Sequence, residues 1–165
     1  MIRKRIKPLL FLLLILLAAC SGKKQNTING FETLKWGSDI PAVKSYLEKN
    51  INADYDYYEM ESATGKLKLR FKGSEFLSLP VSNWVFEILK GGLTGYQITI
   101  SDSKNIKKDF TKLINYYKEK LGEPTSLDSV KGFWNIRPDE SKTSEKVSVR
   151  KFNNAITIKV EKVNG

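Results

Sequence analysis

The sequence predicts an α+β fold, an antiparallel sheet of five or six strands with two helices packed on one face. Two observations predict this fold. Two segments repeat apolar residues at helical spacing, and most other segments alternate apolar and polar residues as half-buried strands do. Short turns join the alternating segments, so neighbouring strands are expected to pair as hairpins. The apolar strand faces would then be buried against the helices.

The first helix is expected to begin after Ser38, whose hydroxyl can cap it, and to end near Asn50. Pro41 is tolerated because it falls in the first helical turn. Apolar residues three and four positions apart give this helix one buried face. They are Ile40, Val43 and Leu47.

The second helix is predicted from about residue 104 to residue 121. Asp102 or Ser103 can cap its start, and Gly122 and Pro124 stop it. Its apolar residues recur at spacings of four, three, four and four, so they form one stripe. They are Ile106, Phe110, Leu113, Tyr117 and Leu121.

Five segments alternate with period two, and residues 133–136 are predicted as a further strand. Gly91-Gly92 and Asn153-Asn154 supply hairpin turns. The residues that share apolar strand faces are Leu67, Leu69 and Phe71; Trp84, Phe86 and Ile88; Tyr96, Ile98 and Ile100; Val147 and Val149; and Ile156, Ile158 and Val160.

The N-terminus has the pattern of an export signal, predicted over residues 1–19. A basic cluster (Arg3, Lys4, Arg5 and Lys7) precedes an unbroken apolar run over residues 9–17. As a helix, residues 9–19 would reach about 16 Å, which is short of the roughly 30 Å bilayer core. The segment therefore reads as a cleaved signal rather than a permanent span.

The signal ends in Leu17-Ala18-Ala19-Cys20, which resembles the lipobox of bacterial lipoproteins. The resemblance implies cleavage before Cys20, acylation of its thiol and amine, and a membrane anchor of two or three acyl chains. Cys20 is the only cysteine, so no intrachain disulfide is possible, and lipidation accounts for the unpaired thiol. The alternative is an ordinary secretory signal followed by a chance cysteine.

Location and domain organisation follow from the residues after the cysteine. Ser21 stands where many Gram-negative inner-membrane lipoproteins carry Asp, which implies the outer membrane, facing the periplasm. A Gram-positive origin would place the chain on the outer face of the cell membrane. Residues 20–29 are polar and predict a flexible tether, and residues 30–165 predict one α+β domain.

A nucleic-acid partner is not expected, because the predicted export signal places the chain outside the cytoplasm and the modest positive charge is common among exported proteins. The chain has 28 Lys+Arg and 18 Asp+Glu, and the four basic residues of the signal leave 24 against 18, a net charge of +6. No nucleic-acid-binding motif is present. The expected partners are the membrane, through acyl chains on Cys20, and a protein or envelope component.

Residues 30–38 read Gly-Phe-Glu-Thr-Leu-Lys-Trp-Gly-Ser and precede the first predicted helix. This stretch resembles the opening of many small bacterial envelope proteins, in which an aromatic-x-x-(Ile/Leu)-x-Trp-Gly-(Ser/Thr) sequence leads into a short helix. Residues 121–124, Leu-Gly-Glu-Pro, are similar to the stop of their second helix. The domain thus resembles β-lactamase-inhibitor-like and small outer-membrane-assembly lipoprotein modules. That resemblance implies a helix-plus-antiparallel-sheet fold and, since most such modules are non-catalytic, a binding role.

Few residues offer catalytic chemistry. The chain has no His and no cysteine besides Cys20, which removes the usual Ser-His, Cys-His and His-ligated metal arrangements. A Ser-x-x-Lys motif at Ser101–Lys104 could support acyl transfer, but it reads better as a strand end and a helix cap. Paired carboxylates in the acidic cluster Asp54, Asp56, Glu59 and Glu61 could support hydrolysis. No metal and no cofactor is expected.

A ligand surface is predicted where tyrosines and a basic stripe follow one another. Tyr55, Tyr57 and Tyr58 lie within the acidic cluster, and tyrosine gives rigid amphipathic contact area. Lys66, Lys68, Arg70 and Lys72 alternate with apolar residues and share one strand face. The possible ligand surface comprises Tyr55, Tyr57, Tyr58, Lys66, Lys68 and Arg70. The alternatives are a polar loop or edge strand for the tyrosines and a solvated strand face for the cations.

Two functions follow from the sequence. The leading hypothesis is a lipid-anchored, non-catalytic envelope protein that binds a protein or envelope component. The alternative is an envelope hydrolase that uses carboxylates or the Ser–Lys pair.

The anchor can be tested by metabolic labelling with a palmitate analogue. The wild-type chain should take up the label and Cys20→Ala should not, because the thiol is the acylation site. Equal labelling of the two proteins would contradict lipidation at Cys20.

Overall fold

The computed structural model describes residues 27–101, 103–137 and 143–164. The predicted signal peptide, Cys20 and the tether as far as residue 26 lie outside the described residues, as does Asp102. None of the helices in the described ranges has the length and apolar character needed to cross a membrane.

The described chain forms two helices and eleven strands. Helix α1 (Ile40–Tyr46) continues into a π-helical turn (Leu47–Ile51), and helix α2 spans Ile106–Leu121. The strands are β1 (Gly30–Phe31), β2 (Leu34–Lys35), β3 (Asp54–Glu61), β4 (Lys66–Lys72), β5 (Glu75–Phe76), β6 (Leu79–Leu89), β7 (Gly92–Ser101), β8 (Ser126–Leu127), β9 (Lys131–Ile136), β10 (Thr143–Lys151) and β11 (Ala155–Asn164).

Nine of these strands form one antiparallel sheet. Its order is β3-β4-β6-β7-β11-β10-β9-β8, and β5 pairs with β6 beside this path. Strands β1 and β2 form a separate two-stranded ribbon. The α+β class and the two helices are therefore confirmed.

The predicted count of five or six strands was wrong, because the sheet has nine. The six predicted strands are present as β4, β6, β7, β9, β10 and β11. Strand β3 was not among the six counted strands, although an edge strand was one alternative for its tyrosines. It lies at the sheet edge with most of both faces exposed, so its sequence carries no alternation. Strands β5 and β8 have two residues each, which is too short for a period of two to be visible.

One face of the sheet carries the core. Strand register places a row of apolar side chains side by side across six strands, because paired positions in antiparallel strands point to the same face. The row is Leu69, Phe86, Tyr96, Val160, Val147 and Trp134, and all are buried. The buried side chains of both helices belong to the same core, as predicted.

Helix α2 approaches the sheet closely at Gly132 in β9. A Cβ atom on this glycine would lie 2.4 Å from Cδ1 of Ile114, so a larger residue would force the Ile114 side chain to move. The predicted stripe of α2 is buried here through Phe110, Leu113 and Tyr117. The sequence signal for α2 was therefore correct about which side faces the core.

Both helices are capped by a residue that comes later in the chain than the residue predicted to cap them. The Asp39 carboxylate accepts from the backbone N–H of Ala42 at 2.9 Å, so Asp39 rather than Ser38 caps α1. The Asn105 side chain accepts from the N–H of Lys108 at 3.1 Å and caps α2. Ser103 instead donates to the carboxylate of Asp109, inside the helix.

A buried carboxylate fixes the start of the domain. Glu145 of β10 is 5% exposed, and its Oε2 accepts from the backbone N–H of Ile28 at 2.7 Å. Its Oε1 accepts from Nε1 of Trp36 at 2.6 Å. The Trp36 ring also stacks on Tyr96 at 6.3 Å between centroids. Glu145 therefore fixes Ile28, which lies within the predicted tether, and Trp36 to the sheet.

The Trp-Gly-Ser sequence joins this N-terminal segment to the β6–β7 hairpin. The N–H of Gly37 donates to the carbonyl of Leu93 at 2.9 Å, and the N–H of Leu93 donates to the carbonyl of Ser38 at 2.8 Å. A Cβ atom on Gly92 would lie 2.9 Å from the Cα atom of Gly37, so the two backbones meet where only glycine fits. The motif thus has a structural explanation.

The core assignment predicts the cost of truncating Leu113, which is fully buried. Leu113→Ala should lower the free energy of unfolding by about 2–5 kcal/mol, through lost burial and a residual cavity. Lys108→Ala, on the exposed side of the same helix, should change it by less than about 0.5 kcal/mol. An equal effect of the two changes in urea denaturation would contradict the placement of α2.

The Glu145 contacts predict a second outcome. Glu145→Gln replaces an acceptor oxygen by an amide N–H₂ group that faces a donor, so the side chain can accept from only one of the two N–H groups. The indole N–H of Trp36 also donates to the carbonyl of Ile28 at 2.6 Å, whereas the N–H of Ile28 has Glu145 as its acceptor. The cost should be about 1–3 kcal/mol, with faster hydrogen exchange at Ile28 and Trp36. Glu161→Gln, a matched change on the exposed face, should leave both amides protected. Unchanged exchange in Glu145→Gln would show that this carboxylate does not hold the segment.

Candidate binding surface

The face of the sheet opposite the helices is open. An antiparallel sheet can bury one face and expose the other, and here the second face carries mainly charged and polar side chains. The open face has two halves, which differ in how many of their charged side chains form ion pairs. One half is formed by β3 and β4, and the other by β9, β10 and β11.

In the first half each basic residue of β4 has an acidic partner. Lys66 Nζ lies 2.7 Å from Glu87 Oε2, and Lys68 Nζ lies 3.4 Å from Glu61 Oε1. Arg70 contacts Glu59 at 2.9 Å, and Lys72 contacts Asp56 at 2.9 Å. The acidic cluster of β3 and the basic stripe of β4 are therefore partners across two strands, which supports the alternative of a solvated strand face.

These contacts hold the groups in their charged forms. Burial lowers the pKa of Lys66, but its hydrogen bond to Glu87 and the charge of that carboxylate outweigh burial and raise the pKa above its ordinary value. The hydroxyl of Thr64 donates to Glu61 and, together with Lys68, lowers the pKa of that carboxyl. Lys66 therefore stays protonated and Glu61 stays deprotonated at neutral pH, so neither side chain is suited to act as a general acid or base.

The three predicted tyrosines do not share a surface. Tyr57 lies on the open face with the guanidinium of Arg70 5.5 Å from its ring centroid. Tyr55 and Tyr58 pair with Phe71 and Leu69, so they point to the opposite face. Tyr55 packs against the core, whereas Tyr58, on the same face of the sheet, is 63% exposed. Of the predicted ligand surface, the structure brings together Tyr57, Lys66, Lys68 and Arg70.

In the second half of the open face, Lys159 and Glu161 of β11 form an ion pair at 2.6 Å and Glu161 lies opposite Lys146, but β9 and β10 carry cations outside this pair. Lys131 of β9 lies directly opposite Arg150 of β10, and Lys146 lies two pleats along the same face. None of the three forms an ion pair with a residue in the described ranges. Like charges at directly opposed positions of a sheet are destabilising. This half therefore departs from the charge matching of the first.

Two aromatic side chains lie beside these cations. Lys131 Nζ lies 5.1 Å from the ring centroid of Phe133, and Phe152 is 55% exposed. A shallow cavity of about 490 Å³ lies among them over a floor of small polar side chains, Gln97, Ser148 and Thr157. We refer to Lys131, Phe133, Lys146, Arg150 and Phe152 as the basic–aromatic surface.

Sequence reasoning missed this surface, although part of its signal was present. Lys146 and Arg150 alternate with the core residues Val147 and Val149, so period two already places them on the outer face. Their position opposite Lys131 depends on the register of β9 against β10. No sequence pattern fixes that register.

The predicted catalytic groups have structural partners. The hydroxyl of Ser101 lies 2.9 Å from that of Ser82, while Lys104 is exposed, and no contact between Ser101 and Lys104 occurs among the described residues. The acidic cluster is engaged with β4 as described above. Across the described ranges, no three His, Cys, Asp or Glu side chains lie close enough together to hold a metal ion.

A second cavity, of about 300 Å³, lies between residues 27–32 and the end of α2 and is lined by tyrosines. Burial raises the pKa of Tyr96 and of Tyr117. Nearby, burial and then the hydrogen bond to Glu32 raise the pKa of Tyr46 to about 12. These hydroxyls stay protonated at neutral pH, so they can donate hydrogen bonds but are poor bases.

Comparisons with protein-family models, with curated proteins and with solved structures find no significant match to this chain.

Proposed function

We propose that this chain is a lipid-anchored, non-catalytic envelope protein that binds an anionic protein or envelope component on its basic–aromatic surface. The anchor is the lipid on Cys20, implied by the Leu-Ala-Ala-Cys sequence. The resemblance to small envelope modules that are mostly non-catalytic supports the same role. Absence of Asp after the cysteine favours the outer membrane, facing the periplasm.

The observation that carries the binding proposal is the pairing of Lys131 with Arg150. Placing two cations at opposed positions costs stability, and the same sheet avoids this cost in its other half. An anionic group between the two side chains would convert repulsion into two charge-assisted hydrogen bonds. The unmatched charges are thus better explained by a partner than by folding.

The aromatic side chains narrow the class of partner. Phe152 exposes more than half of its surface, and its burial against a partner would add apolar contact to the charge attraction. A small inorganic ion would use the cations and leave both rings in water. The surface therefore suits a larger anionic partner with apolar groups, such as an acidic protein surface or an acidic glycolipid.

Binding to isolated envelopes tests this proposal. The lipid-free mature chain carrying Cys20→Ser should bind envelope fragments in a salt-sensitive manner. Lys131→Glu with Arg150→Glu should weaken binding at least about tenfold, since losing one charge-assisted hydrogen bond costs about 1.5–3 kcal/mol.

The control makes the same charge change elsewhere. Lys35→Glu with Lys49→Glu replaces two exposed lysines that lie off the basic–aromatic surface. This variant should bind like the parent chain once equal melting temperatures show that all proteins are folded. Equal weakening in both variants would mean that only net charge matters, and the proposed surface would be rejected.

A further inference from the structure

A second exposed surface lies on the helical side of the sheet. An apolar groove of about 320 Å³ runs between α2 and the segment that contains β8. Phe110, Ile114 and Leu127 form its apolar lining. Lys107, Lys118 and Lys151 stand at its rim. We call these six residues the helix groove.

Apolar side chains project beside the helix groove. Leu127 is 47% exposed and Val130 is 48% exposed, on the turn that joins β8 to β9. Asp128 holds this turn because its carboxylate accepts from the backbone N–H groups of Val130 and Lys131, each at 2.7 Å. The same hydrogen bonds lower the pKa of Asp128. The two apolar side chains are therefore presented by an ordered turn.

Three lysines and one carboxylate, that of Asp128, line the helix groove, so its charge is positive overall. Lys107 forms no ion pair with any described residue, and neither does its neighbour Lys108. Lys151 Nζ lies 5.5 Å from the ring centroid of Phe110, while Lys118 pairs with Glu123 at 2.8 Å. Apolar residues flanked by lysines are typical of surfaces that rest on anionic membranes.

The start of the described chain lies beside α2, on a flank of the helix other than the one that lines the helix groove. Thr27 lies with Tyr116 and Lys120 around one cavity, at the C-terminal half of α2. The seven Cα–Cα steps from Cys20 to Thr27 can span at most about 24 Å. Sixteen residues of α2 extend over a similar length, about 24 Å. An anchor on Cys20 therefore keeps the whole helix within reach of the bilayer surface.

We propose that the helix groove docks on the anionic membrane that holds the lipid anchor. Leu127 and Val130 enter the headgroup region, and Lys107, Lys118 and Lys151 contact anionic headgroups. This inference rests on the proposed lipidation of Cys20. Because α2 covers one face of the sheet, docking directs the basic–aromatic surface away from the membrane.

Lysine footprinting of the lipidated protein tests the docking. The protein is reconstituted into vesicles of phosphatidylcholine alone or with phosphatidylglycerol, and an amine-reactive reagent is followed by mass spectrometry. Lys107 and Lys151 should react at least about fivefold more slowly on the anionic vesicles, roughly the factor for one lysine at an anionic surface. Lys146, on the open face, should react equally on both.

A matched pair of variants separates the helix groove from general exposure. Leu127→Ser with Val130→Ser should remove most of the protection of Lys107, because the apolar contacts are lost. Tyr57→Ser, at an equally exposed aromatic residue on the open face, should leave the protection intact. Equal reactivity of Lys107 on both vesicle types, or protection of Lys146 instead, would overturn the docking proposal.

Different results would contradict lipidation of Cys20 and docking of the helix groove. If Cys20 is not acylated, the wild-type chain leaves the vesicles in a high-salt flotation assay. If the protein floats but Lys107 and Lys151 stay fully reactive, the anchor stands and the docking is rejected.

Discussion

Burial of one face of the sheet under two helices is the constraint on which the rest of the structure depends. It requires apolar side chains at every second position across six strands, in a register that joins Leu69 to Trp134. It also forces close approach, which explains why Gly132 lies under Ile114. The same constraint leaves the other face of the sheet in water. On that face, the pairing of charged side chains rather than their packing determines how much they contribute to stability. A site on that face is therefore visible as a departure from good charge matching.

The buried face was largely predictable because burial leaves a period in the sequence. The stripe from Phe110 to Leu121 and the alternation from Tyr96 to Ile100 both identified their buried sides correctly. Edge strand β3 and the two-residue strands β5 and β8 were not among the counted strands, since elements that bury little leave no period. Buried polar contacts were equally invisible. Glu145 holds Ile28 and Trp36 from more than a hundred residues away, and no local pattern marks such a contact.

The candidate surface was predictable only in part, for a related reason. Alternation predicts which face of the sheet a cation occupies. Whether that cation is neutralised depends on the side chain directly opposite it in the neighbouring strand. Lys68 and Arg150 occupy similar positions in their strands, yet one faces carboxylates of β3 and the other faces Lys131. Strand order and register separate a neutralised stripe from an unmatched one. The basic stripe that stood out in the sequence is the neutralised one, and the less conspicuous lysines of β9 and β10 carry the binding proposal.

The basic–aromatic surface and the helix groove lie on opposite sides of one sheet, so membrane docking of one would determine the orientation of the other. With the proposed lipid on Cys20, the short connection to Thr27 would limit how far the domain can move from the bilayer, but by itself it would leave the domain free to rotate. The Glu145 contacts remove part of that freedom by fixing the chain from Ile28 onward to the sheet. Contacts along α2 would remove the rest, with apolar insertion and lysine attraction acting together. The basic–aromatic surface would then face the aqueous side at a constant height, so that a partner meets it without the entropic cost of orienting the domain first.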